Sequence, residues 1–249
     1  MNTPSTPSGQ SPHIARGGKV LYGAPLGILM LEARFARIPG DMGNAETWPF
    51  PVLYRVIRGA DPERVVRNGA EGLLDAFIDG AKDLVDLGAE ALTTNCGFLS
   101  IFQNQISAAV GVPVATSSMM QVPWVQTLLP SGKRPGIVSI SSATVTDAHL
   151  DAINVPRDTP LEGTDEDGEF FRVIVRAEKP DLDVALARTD VINAARRLTE
   201  RHPEVGAIVL ECTNMAPYAR DVSEATGLAV FDIYSLTTWL HAGIRPRRF

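Results

Sequence analysis

Leu92-Thr93-Thr94-Asn95-Cys96-Gly97-Phe98 is a short apolar run that ends in a cysteine, and Ile208-Val209-Leu210-Glu211-Cys212-Thr213-Asn214 repeats that design more than a hundred residues later. These are the chain's two cysteines. Each follows strand-like residues, carries hydroxyl and amide neighbours, and precedes a helical pattern. The flanks match too. Gly88-Ala89 precedes the first cysteine and Gly206-Ala207 the second, while Gly111-Val112-Pro113-Val114 and Gly227-Leu228-Ala229-Val230 each begin fifteen residues downstream. The sequence is therefore an internal repeat with one thiol per copy at the carboxyl end of a strand.

The rest of the chain fits two copies of an alternating strand–helix unit. Residues 26–31 (LGILML) form the continuous apolar run of a buried parallel strand. A long Gly- and Pro-rich loop, 33–51, follows, and its length marks it as functional or as an interface. Strands are expected over 52–57, 89–93 and 112–115, with helices over 73–85, 98–110 and 119–129; Gly88 stops the first helix. The pattern restarts at 131. Strands are expected over 136–140, 170–175, 207–210 and 229–231, with helices over 146–153, 184–198, 215–226 and 236–241. The acidic run 162–168 reads as a solvated loop. Strands alternating with helices call for a parallel sheet covered on both faces.

The expected fold is α/β, with two pseudo-twofold-related subdomains, each a mostly parallel sheet flanked by helices. Residues 1–19 read as a disordered tail, 20–130 plus 232–249 as the first subdomain and 131–231 as the second. Ligands of open α/β sheets bind beyond the carboxyl ends of the strands. Both cysteines lie there, so the twofold brings Cys96 and Cys212 to opposite walls of one cleft.

Composition narrows the function. With 45% hydrophobic and 21% charged residues, the 249-residue chain reads as an ordinary globular protein. A net charge of −6 excludes a basic nucleic-acid surface. No apolar run reaches the roughly 18 residues that cross a membrane, and the amino terminus lacks a signal-peptide pattern, so a cytoplasmic protein with free thiols is expected. His13, His149, His202 and His241 have no paired spacing, so no metal site is expected. There is no GxGxxG after a strand, no Walker A and no GxSxG elbow, so no nucleotide cofactor is indicated.

Two thiols on opposite walls suit proton transfer. A thiolate beside a helix N-terminus takes a proton from carbon while the facing thiol delivers one to the other side. Thr94, Asn95, Thr213 and Asn214, with nearby N–H groups, suit a substrate carboxylate and the enolate charge that develops on it.

TTNCGF and LECTN, each after an apolar strand, resemble the paired cysteine motifs of the aspartate/glutamate racemase superfamily, over essentially 26–241. That resemblance implies a cofactor-independent enzyme with Cys96 and Cys212 as its acid–base pair. Asn95, Gly97 and Phe98 then form the first binding turn, and Thr213 and Asn214 the second. Thr116 and Ser117, with Ser142 and Thr144, match turns that in members often bind the carboxylate. It also implies a homodimer or higher homo-oligomer and a small substrate with a carboxylate or cyclic amide. Glutamate racemases carry Asn-Thr after the first cysteine and Asp-Ser after the first strand; here Gly97-Phe98 and Leu31-Glu32 stand there, which points away from glutamate.

The expected reaction is racemisation or epimerisation next to a carboxylate or cyclic amide. Covalent cis–trans isomerisation of an unsaturated diacid and a non-catalytic binding role on the same scaffold stay open. The apolar Phe98, Met119, Met120 and Trp124 are expected near the site.

Overall fold

The computed structural model describes residues 17–248; of the tail expected over 1–19, only 17–19 fall within them. The first half holds β1 (Leu26–Leu31), β2 (Val52–Ile57), α1 (Pro62–Arg67), α2 (Leu74–Leu87), β3 (Ala91–Thr94), α3 (Gln103–Ala109), β4 (Val114–Ala115) and α4 (Val122–Leu128). The second holds β5 (Arg134–Ser139), α5 (Asp147–Asp151), β6 (Leu161–Gly163), α6 (Glu169–Ile174), α7 (Val184–Arg201), β7 (Val205–Leu210), α8 (Ala219–Thr226), β8 (Ala229–Phe231) and α9 (Ile233–Ile244).

The repeat is real in three dimensions. The sheets run β2-β1-β3-β4 and β6-β5-β7-β8, the same order element for element, and every pairing is parallel. Apolar side chains at every position of β1 are buried because helices or the other half cover both faces. On α2, Phe77, Ala81 and Leu84 form the buried stripe. Gly88 ends that helix at φ 128°, where its N–H reaches the carbonyls of Leu84 and Val85.

Two helices cross between the halves. Val122 of α4 packs with Ile137 of β5 and Val209 of β7. Ile233, Leu236 and Leu240 of α9 pack on Leu26, Ile28 and Ala91 of the first sheet.

One expected element is wrong. Residues 170–174 lie in a helix, α6, rather than a strand, and the edge strand β6 overlaps the start of the stretch read as an acidic loop. So short a run, apolar but for Arg172, has too little period to separate strand from buried helix. Here Phe170, Phe171, Val173 and Ile174 are all buried, and the Phe170 N–H is held by the Asp190 carboxylate at 2.9 Å. Glu162 on β6 is bound by Arg197 and Arg201 instead of facing open water.

The helices expected after β3, β4 and β7 each begin as a tight 3-10 turn, at Gly97–Phe102, Ser118–Gln121 and Thr213–Tyr218. Two of these turns start directly after a cysteine.

Candidate active site

Both cysteines cap a 3-10 turn at the carboxyl end of their half's third strand, and both line one cavity between the halves. Both are free and buried. The turn after Cys96 brings the backbone N–H groups of Phe98 and Leu99 to its sulfur. These N–H groups lower the thiol pKa, but burial and the nearby Glu211 carboxylate outweigh them and push it up.

Cys212 sits in a chain of polar contacts. Its sulfur lies 3.6 Å from Asn214 Oδ1. Asn214 Nδ2 donates to Asp41 Oδ2 at 2.5 Å, and Arg37 Nη1 donates to Asp41 Oδ1 at 2.7 Å. Asp41 thus fixes which way the amide turns, leaving its oxygen toward the thiol. Burial is the largest cause that pushes the Cys212 thiol up, followed by Glu211; Cys96 and Asp41 add to it, against one N–H from Asn214.

Glu211, immediately before Cys212, is a carboxyl group at 1% exposure. Ser139 Oγ donates to its Oε2 at 2.8 Å and Ile140 N at 3.4 Å. Its Oε1 is buried without a partner among the described residues. Burial pushes its pKa up to about 7, against the two bonds that favour the charge. Gly97 makes room for it: a Cβ there would stand 2.2 Å from Oε1.

The inner cavity is small, about 20 Å³, hardly more than one water requires. Leu31, Phe35, Phe98, Ile140, Ile174 and Val175 supply apolar wall. An outer basin of about 450 Å³ shares Ala33, Phe35, Pro62, Ile174 and Val175 with it. Its two lips, the loop after β1 and the segment after α6, are joined where Ala36 N donates to the Pro180 carbonyl at 2.9 Å.

The structure brings Cys96, Cys212, Asn95, Phe98 and Asn214 together in this wall. Other expected site residues serve the frame. Thr94 Oγ1 lies 2.7 Å from the Thr116 carbonyl and 3.0 Å from that of Cys96. Thr213 Oγ1 donates to the Asn95 carbonyl across the halves, and Asn95 Oδ1 accepts the Leu31 N–H at 2.7 Å. Thr116 bonds Gln103, and Ser117 caps its own turn at Met119 N. Ser142 packs beside Gly163 and Thr144 bonds the Ser141 carbonyl. Thr116, Ser117, Ser142 and Thr144 thus lie outside the cavity wall, and the hydroxyls of Thr116, Ser117 and Thr144 are engaged by local backbone and side chains in place of a carboxylate.

Nor do Met119, Met120 and Trp124 line the cavity; Met119 is core to the second sheet, and the other two line a separate groove with Trp239. Trp48 and Phe50 pack in an aromatic stack with Tyr234 and His241. Glu32 and Arg34 reach only the outer basin. The residues that sequence reasoning missed are Glu211, Asp41, Arg37 and Phe35. A carboxylate at the end of the apolar β7 run was the available signal for Glu211; Asp41 and Arg37 offered none beyond their place in the long loop.

Among the described residues no group of three His, Cys, Asp or Glu side chains is placed to hold a metal ion. No helix among them is long and apolar enough to cross a membrane.

The arrangement of two such sheets with the cleft between them has solved counterparts. A glutamate racemase isoform from Bacillus anthracis superposes with a TM-score of 0.58 at 13% identity, over 90% of this chain and 83% of that one. A variant of arylmalonate decarboxylase gives 0.56 at 16% identity, over 89% and 92%. Allantoin racemase from Pseudomonas fluorescens gives 0.53 at 14%, over 88% and 91%. The chain has the fold of the aspartate/glutamate racemase superfamily.

Within that superfamily fold, sequence similarity points elsewhere than to racemases. A dimethylsulfoniopropionate lyase of Durusdinium sp. clade D is 26% identical over 237 residues, covering 91% of this chain and 74% of that protein. Dimethylsulfoniopropionate lyase 6 of Emiliania huxleyi (strain CCMP1516) is 25% identical over 221 residues. The chain spans 56% of that lyase's length. No family model matches the chain.

Proposed function

We propose that the chain is an enzyme that removes the proton from a carbon α to a carboxylate, with Cys96 as base and Cys212 as acid. The observation that carries this reading is the pair of buried thiols, one from each half, in one closed and largely apolar cavity. Two N–H groups at Cys96 offset part of the burial that disfavours a thiolate there, against one at Cys212, whose sulfur also faces Asn214 Oδ1. The Cys96 thiolate takes the α-proton, the substrate carboxylate gains enolate character, and Cys212 returns a proton to the opposite face. The net result is inversion, and the two thiols have exchanged roles. The apolar wall excludes water and strengthens every polar contact with the developing charge.

A second outcome of the same first step is β-elimination, and the similarity to dimethylsulfoniopropionate lyases favours it. In dimethylsulfoniopropionate the β-carbon carries a sulfonium. When the base removes the α-proton, the C–H pair becomes the C=C bond, the C–S bond breaks, and sulfur leaves with its electron pair. The products are acrylate and dimethyl sulfide, and the base later releases its proton to water.

Proton NMR in deuterium oxide tests both outcomes on one panel: dimethylsulfoniopropionate, aspartate, glutamate, hydantoins and allantoin. Exchange of the α-proton in recovered substrate, stopped by Cys96→Ser and by Cys212→Ser, is the racemase result. Vinyl signals from dimethylsulfoniopropionate, stopped by Cys96→Ser, are the lyase result. A chain that does neither with any compound loses this reading. Homo-oligomerisation also stays a proposal, tested by sedimentation of the purified chain.

A further inference from the structure

Glu211 is buried, lines the cavity and keeps one carboxyl oxygen without a partner among the described residues. The proton transfer just described does not use it. Its surroundings decide what it does.

Count the charges in the closed cavity. The reaction puts one negative charge on a thiol and brings a second on the substrate carboxylate. The cation in the wall, Arg37, is already bound to Asp41 at 2.7 Å. A third negative charge on Glu211, beside both sulfurs, meets the rule that keeps paired carboxylates in a shared dry site from ionising together. We propose that Glu211 works as a neutral acid, its Oε1 donating a hydrogen bond to a carboxylate oxygen of the substrate as that oxygen gains enolate charge. This role rests on the α-proton chemistry proposed above.

The local bonds fit. Ser139 and Ile140 engage Oε2 alone. Gly97 leaves Oε1 its place, since any side chain there would fill it. Burial raises the carboxyl pKa to about 7, so the proton is held below neutrality. The titratable groups that face Glu211 are Cys96 from the turn after β3 and Cys212 beside it, with Asp41 and Arg37 beyond on the loop after β1. β5 and the residue after it present the Ser139 hydroxyl and the Ile140 amide, and α6 presents Ile174.

Two substitutions separate a neutral acid from a carboxylate. Glu211→Gln keeps the shape and a donor but has nothing to ionise; Glu211→Ala removes both. With the substrate that passes the proton-exchange or elimination assay, Glu211→Gln is expected to stay within about tenfold of wild type at pH 6. It is also expected to lose the wild type's fall in rate as pH rises through about 7. Glu211→Ala is expected to lower kcat by on the order of 10²-fold with KM little changed, as removal of an oxyanion donor does. A folded Glu211→Gln as inactive as Glu211→Ala overturns the proposal, because the working form is then the carboxylate.

Infrared difference spectra of the substrate-free wild type in deuterium oxide provide a readout that needs neither a substrate nor a folded variant. The C=O band of a buried protonated acid is expected at pH 6 and is expected to fade as pH rises through about 7. A protein with no such band at pH 6 carries Glu211 ionised and overturns the proposal. Should no compound be turned over, the α-proton chemistry falls and takes the donor role with it, while absence of this band would still show Glu211 ionised.

Discussion

Each half carries its cysteine at the end of its third strand, in front of a 3-10 turn, yet the two sulfurs meet different surroundings. Cys96 receives two backbone N–H groups. Cys212 faces an amide oxygen that a carboxylate from the other half holds in place, and it follows a buried acid in sequence. The duplicated backbone sets where the thiols stand, and the groups around them set how strongly each thiol is held neutral. Pseudo-symmetry in this fold fixes position, and asymmetry of partners assigns roles.

The largest effect that sharpens this contrast is loss of the proposed base, Cys96. Cys96→Ala is expected to cut turnover by about 10³-fold or more, the worth of a positioned proton-transfer group, measured as α-proton exchange or acrylate release. If the sulfurs are in fact equivalent, Cys96→Ala and Cys212→Ala will slow elimination equally, and the contrast breaks.

Next comes stability. Glu211 carries its proton up to about 7 in the fold against 4.5 for an ordinary glutamate. A raised carboxyl pKa contributes stability that is fully present below pH 4.5 and is lost as pH climbs through about 7. Relative to Glu211→Gln, the wild type is expected to lose on the order of 3 kcal/mol across that window, read from denaturant melts at several pH values. Parallel curves for the two proteins would mean that Glu211 is already ionised.

Crowding the same carboxyl comes third. Gly97→Ala places a methyl 2.2 Å from Glu211 Oε1 and 2.5 Å from its backbone oxygen. The expected cost is about 1–3 kcal/mol, in line with overpacking of a filled site, and thermal unfolding measures it.

The smallest effect tests the Cys212 side alone. Asp41→Asn removes a negative charge that raises the Cys212 pKa and loosens the hold on Asn214. Alkylation of Cys212 is expected to quicken several-fold at pH 8, with Cys96 unchanged, as peptide mapping by mass spectrometry would show. Equal acceleration at both cysteines would place Asp41 in a shared field and remove its assignment to one half.

The repeat, the two parallel sheets and the placement of both thiols were legible in sequence because strand-ending cysteines with matching flanks recur at a fixed spacing. α6 was not legible, since FFRVIV is apolar at every position but Arg172, and so short a run does not separate a strand from a buried helix. The hydroxyl residues were misleading for a related reason. Thr116, Ser117 and Thr144 look like carboxylate ligands, but a hydroxyl beside a buried turn first satisfies local polar groups. Asp41 and Arg37 reach the cleft through a loop whose path depends on long-range contacts to Asn214 and Pro180. Glu211 was visible as a charged residue at the end of an apolar strand, and only its depth reveals its significance.

The crossing of α4 and α9 has a consequence for how this molecule can be assembled and divided. The helix that completes the cover of each sheet is encoded on the far side of the boundary near residue 130, so neither half is a finished object. A gene cut at that boundary would yield two polypeptides with raw apolar faces, soluble and active only when made together, each serving as the other's chaperone.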